Sequence, residues 1–190
     1  MEPALSPFGE VARLAAGLEA LGLRPVLVGG MALVLLGSQR VTQDFDFVIN
    51  HPGEQTEPIV DLFYSRSMEL VSKLNAAGEV TATIDNRKVA AIRLRLDKPA
   101  SAFFFNHKTL LRVDLLFDFP VAAATLAAKA VSTRIRGRAL NVASAADLLH
   151  LKEIAASRRS FAGDAQDIEF LKRHLKGTDP AIARTRKKPE

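Results

Sequence analysis

Val26-Leu27-Val28-Gly29-Gly30-Met31-Ala32-Leu33-Val34-Leu35-Leu36, followed by Asp44-Phe45-Asp46-Phe47-Val48-Ile49 with thirteen residues between Gly30 and Asp44, is the stretch on which the fold turns. The first apolar triplet reads as a short buried strand, and Met31 to Leu36 as a helix that starts at once after the two glycines. Glycine lets a backbone come close to a phosphate, and the unpaired N–H groups at a helix start offer it hydrogen bonds. Phe45 to Ile49 reads as a second strand. On a strand, Asp44 and Asp46 share one face while Phe45 and Phe47 point to the other, into the core. Two like charges side by side are costly unless a cation lies between them, and oxygen-only ligands select a hard ion such as Mg²⁺.

A third acid follows from the same reasoning. In Leu111-Arg112-Val113-Asp114-Leu115-Leu116-Phe117, the apolar Val113, Leu115 and Phe117 alternate toward one face, so Asp114 faces the other. A carboxylate in the middle of an apolar strand needs a partner. Asp118 is its rival, but it stands at the strand end before Pro120, where exposure accounts for it.

The flanking chain supplies helices and more strands. Leu5 to Leu21 carries an apolar stripe at Val11, Leu14, Ala15, Leu18 and Leu21, stopped by Gly22. Glu57 to Ala77 reads as one long helix ended at Gly78. Val80 to Ile84 and Val89 to Leu96 read as a hairpin across Asp85-Asn86-Arg87, with Arg93 and Arg95 on a solvated sheet face or along an RNA backbone. Val131 to Ile135 and Ala139 to Val142 form a second hairpin around Gly137. Ser144 with Asp147 resembles a capping box at the start of a helix bearing Leu148, Leu149, Leu151 and Ile154. A last helix is predicted over Asp164 to Leu175. The expected class is α/β (α+β), a mixed sheet flanked by helices. The division is a core over 1–120, a mainly helical part over 121–177 packed on it, and a basic flexible tail over 178–190.

These pieces together resemble the DNA polymerase beta-like nucleotidyltransferase superfamily, whose signature is a Gly-Gly or Gly-Ser turn, about a dozen residues, an acid–apolar–acid strand and a third acid on a later strand. Arg40-Val41-Thr42-Gln43-Asp44-Phe45-Asp46 is similar to the Arg-x-Thr-x-Asp-x-Asp form of AbiEii-like toxin nucleotidyltransferases. So is the later run of Asp147-Leu148-Leu149-His150-Leu151-Lys152, Arg158-Arg159 and Asp164-Ala165-Gln166-Asp167. The resemblance spans Val26 to Leu171. It implies catalytic and metal-binding roles for Asp44, Asp46 and Asp114, which would hold two Mg²⁺ ions, with Mn²⁺ as a substitute. It also implies contacts from Gly29, Gly30, Arg40, Thr42, Lys152, Asp164 and Asp167 to an NTP. The chain departs from the pattern in two places. Gly30 offers no hydroxyl where the commoner minimal enzymes have Ser, and Gly163-Asp164 replaces the usual Lys-Asp pair. Either Arg158 or Arg159 matches the family arginine.

What the resemblance implies is transfer of an NMP to tRNA or another RNA by a toxin-type enzyme with a cognate antitoxin. The alternatives are a protein or small-molecule acceptor such as an aminoglycoside, and an inactive domain that binds a nucleotide or a partner. Lys152 borders an apolar stripe, where it either snorkels or binds phosphate. Asp164 can be a helix cap and Asp167 the partner of a nearby arginine.

Composition bounds the rest. The chain has 190 residues, 48% of them apolar and 25% charged, which are ordinary globular values. It has no cysteine, so neither a disulfide framework nor a thiolate metal site is available. Its four histidines lack zinc-ligand spacing, and P-loop and dinucleotide signatures are absent. Of the net charge of +5, a share of +3 lies in the last seven residues, so the body is almost balanced. The longest apolar stretch, Val26 to Gly37, is too short to span a bilayer, and Met1 onward shows no basic-then-apolar leader. A cytoplasmic protein without membrane contact is expected.

Overall fold

The computed structural model describes residues 6–53, 55–135, 137–158 and 162–177. The basic tail over 178–190 and Arg159 lie outside the described residues.

Seven helices and eight strands follow one another in these residues. They are α1 (Pro7–Ala20), β1 (Val26–Val28), α2 (Gly29–Leu35), β2 (Asp44–Ile49), α3 (Glu57–Tyr64), β3 (Glu69–Leu74), β4 (Val80–Ile84), α4 (Arg87–Asp97), β5 (Ser101–Phe105), β6 (Arg112–Phe117), α5 (Ala123–Ala127), β7 (Val131–Ile135), β8 (Arg138–Val142), α6 (Ala145–Arg158) and α7 (Ala162–Leu175). The strands make one sheet in the order β4-β3-β5-β6-β2-β1-β8-β7. It is mixed: β2 runs parallel to β6 and β1 to β8, while the other neighbours are antiparallel.

The centre of the sheet is apolar on one face. Phe45, Phe47, Val113, Leu115 and Phe104 are buried there, with Phe63 of α3 stacked on Phe104 at 4.0 Å between ring centroids. Phe8 of α1 meets Phe45 edge-on at 5.2 Å. The alternation read from β2 and β6 holds: one set of side chains fills the core and the other set, which carries the acids, faces away from it. The β7–β8 hairpin joins the same sheet through β8 and β1, and the Ser144 cap forms as the sequence predicts, its Oγ accepting from Asp147 N at 3.1 Å and donating to Asp147 Oδ2 at 2.6 Å. Helices α6 and α7 pack on each other, and α6 also meets α2.

Two sequence expectations fail. The helix over Glu57 to Ala77 stops at Tyr64, and β3 follows it. Ser65 Oγ donates to the Leu62 carbonyl at 2.7 Å and Ser67 takes a left-handed φ of 56°, so the chain turns where the apolar period would have carried on. Gly78, with φ 82°, serves the turn of a β3–β4 hairpin, in which Asn75 Oδ1 accepts from Ala77 N and Glu79 N. Val89 to Leu96 is not a strand but part of α4. Asn86 caps that helix by accepting from Val89 N at 3.1 Å, and Ala90, Ala91 and Leu94 form its buried side. Arg93 and Arg95 therefore stand on the exposed side of that helix, Arg93 paired with Asp97 one turn on. The sequence reading did not find β5, which lies between β3 and β6; the hairpin partner of β4 is β3.

Candidate active site

The strand register assembles the site. Across β1, β2, β6 and β5, Val28 partners Asp46, Asp46 partners Asp114, and Asp114 partners Phe103. One step along, Asp44 partners Arg112. Paired residues on adjacent strands share a face, so all three carboxylates lie on the side of the sheet away from the Phe45–Phe47 core. The acids read from the sequence are thus brought to one face of the sheet.

They line a cavity of about 510 Å³ with Gly29, Gly30, Arg40, Thr42 and Lys152. Its far side is formed by Phe103, Arg112, Leu116, Phe119 and Arg158. Asp164 and Asp167 do not line it. They sit on α7 behind Lys152 and hold it: Lys152 Nζ is 3.2 Å from Asp164 Oδ1 and 2.7 Å from Asp167 Oδ2. Asp167 also pairs with Arg40. All of Lys152, Asp164 and Asp167 are buried, so this chain of alternating charges ties α7 and α6 to the loop before β2. Lys152 is not a snorkelling side chain, although it lines the cavity. Its head is inside and paired on two sides.

The two glycines have separate steric jobs. A Cβ on Gly29 would meet the carboxylate of Asp46, and Gly29 has φ 67°. A Cβ on Gly30 would stand 2.9 Å from Cζ of Arg40. Glycine here makes room for an acid on one side and a guanidinium on the other.

Electrostatics set the acids apart from ordinary surface carboxylates. Burial, and then the charge of Asp44, push Asp46 up to about 6, against the opposing pull of Lys152, Arg112 and Arg40. Burial pushes Asp114 up to about 7, although its hydrogen bonds from Arg112 work the other way; Asp46 and Asp44 add to the rise. Both groups resist ionisation chiefly because they are buried, and the positive charge nearby only partly offsets that cost. Arg112 supplies part of that charge, its Nε donating to Asp114 Oδ1 at 2.8 Å and its Nη2 to Asp114 Oδ2 at 2.7 Å. Burial opposes its charge, but that pairing outweighs it and holds its pKa above the usual value.

A hard divalent cation fits this donor set on chemistry: oxygen donors on one face, with Asp46 and Asp114 short of compensating charge. Among the described residues, though, no three acidic or histidine side chains gather about one point, and the Arg112 guanidinium stands among the three carboxylates. Sequence reasoning assigned Arg112 no role. The signal was present, since Arg112 precedes Asp114 by two on a strand and so shares its face. Phe103 and Phe119 were missed as well, the first because β5 itself was missed. Of the two candidate family arginines, Arg158 lines the cavity, with its guanidinium 5.2 Å from the centre of the Phe119 ring.

No protein-family model matches the chain, and no curated protein matches it in sequence. Solved structures do. An antigenic nucleotidyltransferase-like protein from Paracoccidioides brasiliensis is 18% identical, with 85% of this chain and 72% of that one covered at a TM-score of 0.52. The lincosamide antibiotic adenylyltransferase LnuA is 12% identical, covering 86% and 94% at 0.53. The antibiotic-resistance factor ANT(2'')-Ia is 10% identical, covering 93% and 86% at 0.53. The chain therefore has the nucleotidyltransferase fold, a mixed sheet with helices and a helical C-terminal part. Among the described residues no helix is long and apolar enough to cross a membrane.

Proposed function

We propose that this protein is an NTP-dependent nucleotidyltransferase that uses a divalent cation, Mg²⁺ or Mn²⁺. The observation that carries the reading is the row Val28–Asp46–Asp114 across three adjacent strands, which sets two acids from different strands beside the Gly29-Gly30 turn. The neighbours' fold supports it. Asp44 and Asp46 are the residues that would hold the cation, and Asp114 stands next to them on the side of β5.

The chemistry is a displacement at phosphorus. A hydroxyl oxygen of the acceptor forms a bond to the α-phosphorus of the NTP, and the bond from that phosphorus to the β-bridging oxygen breaks, releasing pyrophosphate. When bound, the cation lowers the pKa of the attacking hydroxyl and offsets charge on the phosphates. The chain's own groups do the rest. Gly29 and Gly30 let the triphosphate approach the backbone, with Thr42 at the cavity wall. Lys152 and Arg40 present fixed positive charge to it, and Asp164 and Asp167 keep those cations in place. Asp114, whose carboxyl binds a proton more tightly than usual, receives the hydroxyl proton.

For the acceptor, the reading that the neighbours favour is a small molecule. LnuA is described with lincomycin bound, and ANT(2'')-Ia in complex with adenylyl-2''-tobramycin. A polycationic aminoglycoside fits poorly here, because among the described residues the cavity lining adds Arg112 and Arg158 to the three carboxylates and no further acid. A neutral or anionic hydroxyl compound fits that charge. A second reading, an RNA end modified by a toxin-type enzyme held by an antitoxin, rests on one observation: Arg40, Lys152, Asp164 and Asp167, all parts of the AbiEii-like pattern, meet in one ion-paired chain.

Labelled NTPs with Mg²⁺ separate these. Each NTP is incubated with total bacterial RNA, with a cell protein extract and with a panel of hydroxylated small molecules. Label should enter one class of acceptor and be lost in Asp44→Ala, whose circular dichroism should be unchanged. Label incorporation by Asp44→Ala at the wild-type rate would overturn the assignment.

A further inference from the structure

Resting on the nucleotidyl-transfer reading, we propose that Arg112 is a fixed cation of the active site, standing where a second metal ion would sit between Asp114 and Asp44, so that the nucleotide-loaded site holds one divalent cation, on Asp44 and Asp46.

The guanidinium is fastened on four sides. Its fork takes both oxygens of Asp114, at 2.8 and 2.7 Å. Its Nη1 donates to the Gly78 carbonyl at 3.1 Å, in the turn of the β3–β4 hairpin. The same nitrogen lies 3.9 Å from Asp44 Oδ2. Its Cζ lies 4.9 Å from the centre of the Phe103 ring. The Arg112 side chain is only 17% exposed and that of Asp114 only 8%, so little water competes for these bonds.

Register makes this placement a property of the fold. Arg112 is the β6 partner of Asp44, and Asp114 is the β6 partner of Asp46. The sheet therefore delivers one cation and three carboxylates to one face in fixed order. A planar fork that stays protonated can bridge Asp114 and reach toward Asp44; a lysine could not hold both oxygens in one plane. A second ion on Asp114 would have to displace the fork or sit beside it against like charge. The three carboxylates do not converge on a common point, in keeping with a guanidinium between them.

The count of bound ions tests this without measuring transfer. Mn²⁺ is titrated into the protein saturated with α,β-methylene analogues of ATP, CTP, GTP and UTP in turn, and free Mn²⁺ is read by electron paramagnetic resonance. The wild type should bind one Mn²⁺ per analogue complex, and Arg112→Gln, which frees Asp114, should bind two. Two ions in the wild type overturn the proposal and leave the nucleotidyltransferase reading standing. One ion in both proteins also overturns it, because Arg112 then excludes nothing. Neither Mn²⁺ nor any analogue bound by the wild type brings down both readings. A wild-type count of two overturns the proposal whatever the variant does; should Arg112→Gln fold poorly, Arg112→Lys, with charge but no fork, takes its place, is expected to exceed one ion, and overturns the proposal if it binds one.

Discussion

A Cβ atom built on Gly29 would lie 1.9 Å from Oδ2 of Asp46, far inside contact distance. Residue 29 follows directly on Val28, the β1 partner of Asp46, so the carboxylate owes its position to a missing side chain one strand away. Gly29 also has φ 67°, which L side chains rarely adopt. Gly29→Ala is therefore expected to lower stability by about 1–3 kcal/mol and to push Asp46 out of place, with activity reduced on the order of 100-fold. Gly30→Ala meets only the flexible end of Arg40. It should fold at near wild-type stability and raise the KM for NTP instead. Chemical denaturation and steady-state kinetics on the pair check the contrast, and equal effects from both variants would contradict it.

Asp46 and Asp114 make the metal-free protein pH-sensitive in a definite direction. Their carboxyls are held up to about 6 and about 7, against 3.8 ordinarily. The folded chain thus binds these protons more tightly than the unfolded chain does. Their contribution to stability is full below about pH 4 and is lost as the pH rises through about 6 to 7. Asp46→Asn removes one of the titrating groups. In circular dichroism melts without metal, the variant should have a Tm higher than wild type at pH 8, by on the order of 5 °C, and closer to it at pH 5. Added Mg²⁺ should stabilise the wild type more at pH 8 than at pH 5, because it binds the ionised form, and should do little for Asp46→Asn. A Tm difference independent of pH would sink the argument.

Lys152 neutralises two buried acids at once, and Asp167 shares itself between Lys152 and Arg40. Removing the common cation leaves two carboxylates buried without it. Lys152→Met is expected to cost about 3–5 kcal/mol of stability. Asp167→Asn leaves Lys152 with Asp164 and loosens Arg40. It should fold, and its main effect should be a higher KM for NTP with kcat less affected. Denaturant midpoints for both variants and KM for Asp167→Asn test this. A silent Lys152→Met would show that the ion-paired chain contributes nothing.

How far the sequence carried this result depends on which physical signal each segment holds. β2 and β6 were legible because apolar residues alternating with acids on a buried strand admit one orientation, and that orientation also placed Asp44, Asp46 and Asp114 on one face. The Lys152 and Asp167 contacts were legible only as kinds of residue in a resembling pattern, since α6 and α7 meet through tertiary packing. α4 misled because Ile92-Arg93-Leu94-Arg95-Leu96 alternates like a strand while its buried side is built from Ala90, Ala91 and Leu94 at helical spacing. The small alanines carry that period, and a hydrophobic pattern weighted by large side chains does not see them. The break after Tyr64 was hidden because local serine bonds end the helix without a glycine or a proline. Arg112 was visible but unread: its role depends on Phe103, and β5 was not in the reading.

Phe119 and Arg158 give the last prediction. They meet at the cavity wall, Phe119 just past the end of β6 and Arg158 at the last residue of α6. On the proposed placement of the triphosphate against Gly29, Gly30 and Arg40, the acceptor enters from the side of Phe119. Phe119 is 40% exposed, a face left open for a flat or apolar group, and the arginine above it repels a polycation while favouring a neutral or anionic one. Phe119→Ala and Arg158→Ala should each weaken the acceptor, raising its KM about 5- to 30-fold for a loss of roughly 1–2 kcal/mol, while binding of the NTP, followed with its α,β-methylene analogue, stays within about twofold of wild type. An acidic substitution, Arg158→Glu, should go further and improve the relative use of cationic acceptors. If these variants weaken the nucleotide and spare the acceptor, the two halves of the cavity have been assigned the wrong way round.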